Sequence, residues 1–235
     1  MLKKDLIEKN PIRHLKGEAP SGLGLVMSRA GLGKTAILVQ IALDSLLNDK
    51  QVIHISVGQT LEKTRLWYDD IFKVITEECK LENAAEVYDE IVRNRLIMTF
   101  NASSFSRPKL EERLDDLIHQ DIVRPDCIVV DGFDFENNDG QIISDLRSMA
   151  EAMQLQVWFS AVSHRENMQM SPKGVPAPCH ELEDLFDTIV LLQPAPEKGC
   201  IDLNIIKDTA GVSDGCKILK LDPITLLINE GCKNR

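Results

Sequence analysis

One stretch decides the fold: Ser28-Arg29-Ala30-Gly31-Leu32-Gly33-Lys34-Thr35. An apolar run at residues 23–27 precedes it, and a helical pattern over residues 34–47 follows it. Strand, glycine-containing loop and helix in this order are the context that a phosphate-binding loop requires. We therefore expect this stretch to bind the phosphates of a nucleotide.

Four positions of the stretch have predicted roles in holding a polyphosphate. Gly31 and Gly33 allow the backbone to curl so that consecutive N–H groups point at phosphate oxygens. The N-terminal end of the following helix adds positive potential. Lys34 is expected to reach the β- and γ-phosphates, and the Thr35 hydroxyl is expected to ligate magnesium between them. The other predicted cofactor-binding positions of the stretch are Ser28, Arg29, Ala30 and Leu32.

A carboxylate at the end of a later strand is the second predicted part of the site. Asp131 closes the apolar run at residues 127–130. A phosphate-binding loop works with such a carboxylate, which helps to hold magnesium. Asp131 and Thr35 are therefore the predicted metal-site residues. The alternative is an aspartate that only caps the turn before Gly132.

Strand-like and helix-like segments alternate along most of the chain. Strands are expected at residues 52–57, 96–100, 127–131, 157–162 and 188–192. Helices are expected at residues 34–47, 108–120 and 141–153, with two more between residues 60 and 95. Short tail strands are expected at residues 201–206, 217–221 and 225–228. The pattern predicts an α/β fold, with a mostly parallel sheet flanked by helices on both faces and antiparallel strands at the C-terminal edge. We predict a single domain over residues 1–235, with a lead-in helix and loop in 1–20 and the edge strands in 200–235.

Composition and charge narrow the class of protein. With 43% hydrophobic and 27% charged residues, the chain has values typical of a soluble globular protein. None of its apolar runs approaches the roughly 20 residues that a helix needs to cross a bilayer, so we expect no membrane partner. A net charge of -10 does not favour nucleic-acid binding, although one basic loop can still contact phosphates.

The cysteines predict the compartment. The six cysteines are scattered and form no CxxC pair. This distribution indicates buried free thiols in a reducing environment. No apolar block follows the charged N-terminal residues, so the sequence indicates no signal peptide. Together these features predict a cytoplasmic protein.

The sequence resembles the RecA/DnaB/KaiC/RadA superfamily, and within it the motor domain of DnaB-type replicative helicases. Residues 28–35 are similar to that group's loop of a small residue, Arg, Pro, Gly, Met, Gly, Lys and Thr, in which Ser28 is a familiar variation. Residues 145–165, 182–192 and 205–211 are similar to later motifs of the group. The resemblance implies a RecA-like P-loop core, bound ATP and magnesium, and self-association into a ring or filament.

The sequence departs from this group at the positions whose side chains promote ATP hydrolysis. The group has a glutamate that polarises the attacking water, and this chain has Gly58 there. Gln59 follows and can orient water without acting as a base. Thr209 stands at the position of the arginine that a neighbouring subunit supplies, while Lys207 remains and can reach across a subunit interface. His164, or Ser163 before it, corresponds to the usual γ-phosphate-sensing glutamine.

These departures make Gln59, His164 and Lys207 the candidate catalytic residues. Three acidic residues after the second strand can also replace the missing glutamate, although a solvated helix face is the simpler interpretation: Glu62, Asp69 and Asp70. An arginine finger is worth about 10³–10⁵ in rate and a general base about 10²–10⁴. We therefore expect ATP binding with weak hydrolysis or none.

Three functions follow as hypotheses. The first is an ATP-dependent switch or assembly factor, read by a neighbouring subunit or by an unknown protein partner. The second is an active DNA-dependent ATPase of a helicase-like or recombinase-like ring or filament. The third is a structural subunit that binds no nucleotide, against which Lys34, Thr35 and Asp131 argue.

Overall fold

The computed structural model describes residues 1–16, 21–101, 105–137, 140–163, 169–195, 199–209 and 219–229. Its strands are β1 (Gly22–Ser28), β2 (Val52–Val57), β3 (Arg95–Phe100), β4 (Cys127–Asp131), β5 (Gln156–Val162), β6 (Thr188–Pro194), β7 (Ile201–Asp208), β8 (Leu219–Leu221) and β9 (Ile228–Asn229). Its helices are α1 (Lys3–Glu8), α2 (Arg13–Lys16), α3 (Lys34–Leu47), α4 (Leu61–Cys79), α5 (Ala84–Asn94), α6 (Arg107–His119) and α7 (Gly140–Met153). A 3-10 turn covers Glu183–Leu185.

Over the described ranges, the strands form one nine-stranded sheet in the order β3-β2-β4-β5-β1-β6-β7-β8-β9. Neighbouring strands from β3 to β6 in that order are parallel, and β7, β8 and β9 are added antiparallel. Strands β2 and β4 are buried along their whole length, as expected for parallel strands covered on both faces. The predicted mostly parallel sheet with antiparallel strands at its edge is confirmed.

Helices cover both faces of this sheet. Helices α3, α4 and α5 pack on one face, with α1 and α2 beside them, and α6 and α7 pack on the other. Helix α3 is buried along nearly its whole length because the sheet, α4 and α5 enclose it. Its apolar sequence allows this burial, which fixes the start of α3 at the carboxyl end of β1.

One predicted tail strand is wrong. Residues 225–228 were expected to be extended, but the strand begins only at Ile228. The side chain of Asp222 accepts hydrogen bonds from the backbone N–H groups of Ile224 and Thr225, at 2.8 and 3.2 Å. An aspartate that bonds to the backbone two residues on stabilises a turn in place of a strand.

The expectation that all cysteines are free thiols is also wrong. Cys127 and Cys179 are buried free thiols, but Cys200 is disulfide-bonded. Spacing alone does not show which distant cysteines a fold brings together. Because disulfides persist in oxidising environments, the disulfide at Cys200 does not support the predicted reducing compartment. In the described part of the chain, no helix has the length and apolar character needed to cross a membrane.

Candidate phosphate-binding site

The segment between β1 and α3, residues 28–35, is called the glycine loop below. Ser28 ends β1 and is fully buried, whereas Arg29, Ala30 and Gly31 are exposed. Gly31 and Gly33 have φ angles of 80° and 94°, in the left-handed region that favours glycine. The two glycines therefore allow the chain to curl at the carboxyl end of the sheet, as the sequence predicts.

The first turn of α3 points open backbone donors at this curl. Gly33 is the residue before the helix, and no side chain caps the helix at this end. The first N–H groups of a helix have no partner within the helix, so uncapped ones remain available to a ligand. Together with the helix dipole, they favour an anion at the glycine loop.

The side chain of Lys34 lies folded back over the loop. Its Nζ lies 3.3 Å from three oxygens, namely the backbone oxygens of Ser28 and Arg29 and the hydroxyl of Ser28. Burial lowers the pKa of Lys34 below its ordinary value, while the charge of Asp131 opposes this shift. The contacts are long, so an anionic oxygen would be a stronger partner for this ammonium than the neutral oxygens that it contacts.

Asp131 lies beside the start of α3, although a whole strand separates β4 from β1. The hydroxyl of Thr35 donates a hydrogen bond to Oδ2 of Asp131 at 2.8 Å. The hydroxyl of Ser160, on the intervening strand β5, donates to Oδ1 of Asp131 at 2.5 Å. Ser160 also accepts a hydrogen bond from the backbone N–H of Gly132 at 3.1 Å. Asp131 is 9% exposed, so these bonds fix its carboxylate in one position.

The donor set fits a magnesium ion that is shared with a phosphate ligand. Magnesium prefers oxygen ligands and keeps several waters, so proteins hold it through one or two groups plus phosphates. Thr35 Oγ1 and Asp131 Oδ2 are two such oxygens, already 2.8 Å apart. Within the described ranges, no group of three or more His, Cys, Asp or Glu residues forms a metal site of its own. A cation here would therefore depend on a ligand that brings further oxygens.

The described residues directly after β2 make no side-chain hydrogen bond to the glycine loop or to Asp131. Gly58 and Gln59 form an exposed bend after the end of β2. Ser56, near the carboxyl end of β2, pairs with Asp131 at the carboxyl end of β4. The bend therefore lies at the same end of the parallel strands as Asp131. Of the three acidic alternatives, Asp69 accepts a hydrogen bond from the hydroxyl of Tyr88, and Glu62 and Asp70 are exposed on α4.

Lys207, a candidate catalytic residue, and Thr209, at the position of the missing arginine, do not join the glycine loop. Lys207 pairs with Ile189 near the beginning of β6, and its Nζ donates to the backbone oxygen of Glu183 at 2.8 Å. The N–H of Thr209 donates to the backbone oxygen of Asp187, at the amino end of β6. Both therefore lie toward the amino ends of the parallel strands, away from the loop of their own chain.

The predicted γ-phosphate sensor can be placed only in part. His164 lies outside the described residues. The residue before it, Ser163, donates its backbone N–H to the backbone oxygen of Ser28 at 3.0 Å. The end of β5 is therefore in contact with the start of the glycine loop.

A buried polar cluster next to the site was not predicted. His54, on β2, bonds through Nδ1 to the hydroxyl of Tyr68 at 2.9 Å, and the guanidinium of Arg95 lies 4.3 Å from the centre of the Tyr68 ring. Burial lowers the pKa of His54 to about 4, and the neighbouring charges of Asp131 and Arg95 oppose each other. Tyr68 is completely buried, in the core between α4 and the sheet.

The C-terminal part of the sheet contacts the glycine loop and the helix α3 that follows it. A Cβ atom on Gly33 would lie 2.6 Å from Cδ2 of Leu221, on β8. The side chain of Gln40, on α3, donates to the backbone oxygen of Leu226 and accepts from the N–H of Ile228, at 2.8 and 2.9 Å. Sequence reasoning missed these contacts, because a single glutamine on an apolar helix forms no pattern.

No protein-family profile matches the chain, and no curated protein is significantly similar to it in sequence.

Proposed function

We propose that this chain binds ATP with magnesium through the glycine loop of a RecA-like core, and acts as a nucleotide-dependent switch or assembly factor with weak hydrolysis or none. One observation carries the proposal. The uncapped start of α3, the ammonium of Lys34 and the bonded pair of Thr35 and Asp131 lie together at the carboxyl end of β1. Ligands of open α/β sheets bind at this end of the strands.

The arrangement suits a polyphosphate better than a single carboxylate. Backbone N–H groups and Lys34 provide positive charge along the loop, and a few ångströms away Thr35 and Asp131 provide oxygens for a cation. Bound magnesium would neutralise phosphate charge between these two halves. A ligand that carries both phosphates and magnesium uses every group of the site.

Weak hydrolysis follows from what surrounds the site. The bend after β2 offers Gly58 and Gln59, neither of which can accept a proton from water. Lys207 lies toward the other end of the sheet, so only a neighbouring subunit can present it to a bound nucleotide. This geometry allows the active-ATPase alternative only in an assembled ring or filament.

A switch needs an element that contacts the ligand-binding loop and can also bind a partner. Gly33 contacts Leu221, and Gln40 joins α3 to the chain around Leu226 and Ile228. A bound phosphate that shifts the glycine loop would therefore also shift the C-terminal edge strands. We infer that a second subunit or an unknown protein partner reads the nucleotide state at this edge.

Calorimetry and thermal unfolding with magnesium and ATP test the proposal. We expect measurable binding and a raised Tm, both lost in Lys34→Ala and kept in Lys63→Ala, which changes an exposed lysine on α4. Absence of heat with the wild-type chain would overturn the proposal. Turnover measured with and without single-stranded DNA separates the functions, since marked stimulation by DNA would select the active ATPase.

A further inference from the structure

A groove lies on the opposite edge of the sheet from β9, between the edge strand β3 and helix α6. It has a volume of about 750 Å³. Its floor includes Leu96, Met98 and Phe100, which are only half-buried because α6 does not cover them fully. Ile122, at one end of the groove, is 58% exposed.

Among the described residues, strand β3 shows none of the usual protection of a sheet edge. In the described ranges it pairs only with β2, so the N–H and C=O groups of its other side face outward. Natural edge strands are usually blunted by charged residues, proline, bulges or shortness. The only charged residue of β3 is Arg95, at its first position, and this side chain is turned inward over Tyr68. Six residues of such an edge are long enough to pair with another strand.

The wall of the groove carries a particular pattern of charge. The groove-lining charged residues of α6 are Lys109, Glu112, Arg113 and Asp116. All four are exposed, and none of them makes an ion pair or a side-chain hydrogen bond with another described residue. Like charges stand four residues apart on this stripe (Lys109 and Arg113, Glu112 and Asp116), and opposite charges stand three residues apart, so the stripe presents both signs along α6.

This pattern is complementary to itself in the antiparallel direction. A second α6 that runs antiparallel and is centred between residues 112 and 113 sets Lys109 against the partner's Asp116. It also sets Glu112 against the partner's Arg113. Every charge of the stripe then faces an opposite charge, as a two-fold interface requires.

Antiparallel pairing of two β3 strands can share the two-fold axis of the paired α6 helices. Antiparallel pairing centred on Met98 places Met98 opposite its own copy and Leu96 opposite the partner's Phe100, all on the face that carries α6. Six residues of β3 and thirteen of α6 each span about 20 Å. The N-terminal end of α6 follows the carboxyl end of β3, so their midpoints lie near the same level. One two-fold axis therefore serves strand and helix together.

We propose that the groove between β3 and α6 is the interface of a two-fold dimer of this chain, in which paired β3 strands join the two sheets. The occupant is a second copy, because the charge stripe matches itself. The interface does not include the glycine loop, and it forms without nucleotide.

Sedimentation velocity and native mass spectrometry, both without nucleotide, test the dimer. We expect the wild-type chain to dimerise, and each of two charge reversals, Lys109→Glu with Arg113→Glu and Glu112→Lys with Asp116→Lys, to raise the dimer Kd by about tenfold or more. Mixing the two reversed proteins should restore a dimer that contains one of each. Lys63→Glu with Arg65→Glu, on the exposed face of α4, is the matched control and should dimerise like the wild type.

A second variant tests strand pairing apart from the helices. Met98→Lys places like charges opposite each other across the axis and should also give monomers, with circular dichroism confirming that the variant is folded. A wild-type chain that stays monomeric at every concentration would overturn the proposal. So would a dimer that survives both reversals, or reversed proteins that do not combine. Loss of ATP binding would leave the dimer unaffected, so the two proposals fail separately.

Discussion

The hydroxyl of Thr35 and the carboxylate of Asp131 form a direct hydrogen bond of 2.8 Å, although the two residues belong to strand–helix units that are far apart in sequence. Strand β5 lies between β1 and β4, and its Ser160 bonds to the other oxygen of the same carboxylate. The carboxylate is therefore held in place before any ligand arrives. A site that is already ordered loses less entropy when a ligand binds.

Replacement of Asp131 by asparagine should weaken magnesium-dependent binding of ATP. The amide keeps the shape of the carboxylate but loses its charge, so a cation beside Thr35 is less well stabilised. We expect binding with magnesium to weaken about 10–100-fold in calorimetry, and binding with EDTA to change little. Asp70→Asn, on the exposed face of α4, is the control. Equal affinities for wild type and Asp131→Asn in magnesium would contradict the assigned role.

Replacement of Ser160 by alanine should reduce stability. Ser160 is 3% exposed, donates to Asp131 and accepts from the N–H of Gly132, so both partners lose a bond in a buried place. The expected loss in free energy of unfolding is about 1–3 kcal/mol, measured by urea denaturation. Ser148→Ala removes an exposed hydroxyl bonded within α7 and should change little. A stable Ser160→Ala protein would show that water replaces this hydroxyl.

The two loop glycines should respond differently to alanine. Both have positive φ angles, so each substitution carries a backbone cost of about 1–2 kcal/mol. At Gly31 nothing lies within 4 Å of the added Cβ, whereas at Gly33 the Cβ meets Leu221 at 2.6 Å. Gly33→Ala should therefore destabilise the protein more than Gly31→Ala does, by about 1–3 kcal/mol. Equal denaturation midpoints for the two variants would show that β8 gives way without cost.

His54 should make stability fall in mild acid. Its pKa is about 4 in the folded chain against 6.5 as its ordinary value, chiefly because of burial. Between these values the unfolded chain binds a proton that the folded chain does not, so stability decreases as the pH falls from 6.5 toward 4. The full shift corresponds to about 3 kcal/mol. Urea denaturation across this range should give a shallower pH dependence for His54→Asn, and an unchanged one for the exposed-residue variant His119→Asn.

Elements whose signal lies in consecutive residues could be predicted from the sequence. The apolar sequences of β2 and α3 gave the bounds that the structure has, Val52–Val57 and Lys34–Leu47. The β9 region failed because one side chain, that of Asp222, converts an apolar run into a turn. Local pattern predicts an element well only when no single side-chain hydrogen bond competes with it.

The parts of the site that depend on packing could not be predicted. Ser160 is one hydroxyl in an apolar strand, and its role follows only from the register that places β5 beside β4. The same holds for Gln40 and for the contact of Leu221 with the glycine loop. Such contacts join residues from distant parts of the chain, and neither periodicity nor spacing indicates them.

A glutamate at position 58 should create hydrolysis if the proposed function is correct. Gly58 has a φ angle of 76°, and nothing lies within 4 Å of a Cβ built there, so a side chain fits at a backbone cost of about 1–2 kcal/mol. Position 58 follows β2 at the carboxyl end of the parallel strands, where Asp131 also lies. A carboxylate there can take a proton from water. We expect Gly58→Glu to turn over ATP about 10²-fold faster than Gly58→Gln, which has the same shape without the base. Release of phosphate at saturating magnesium and ATP is the measurement, with ATP affinity determined in parallel. Equal rates for the two variants, with ATP bound by both, would show that a missing base is not what limits hydrolysis.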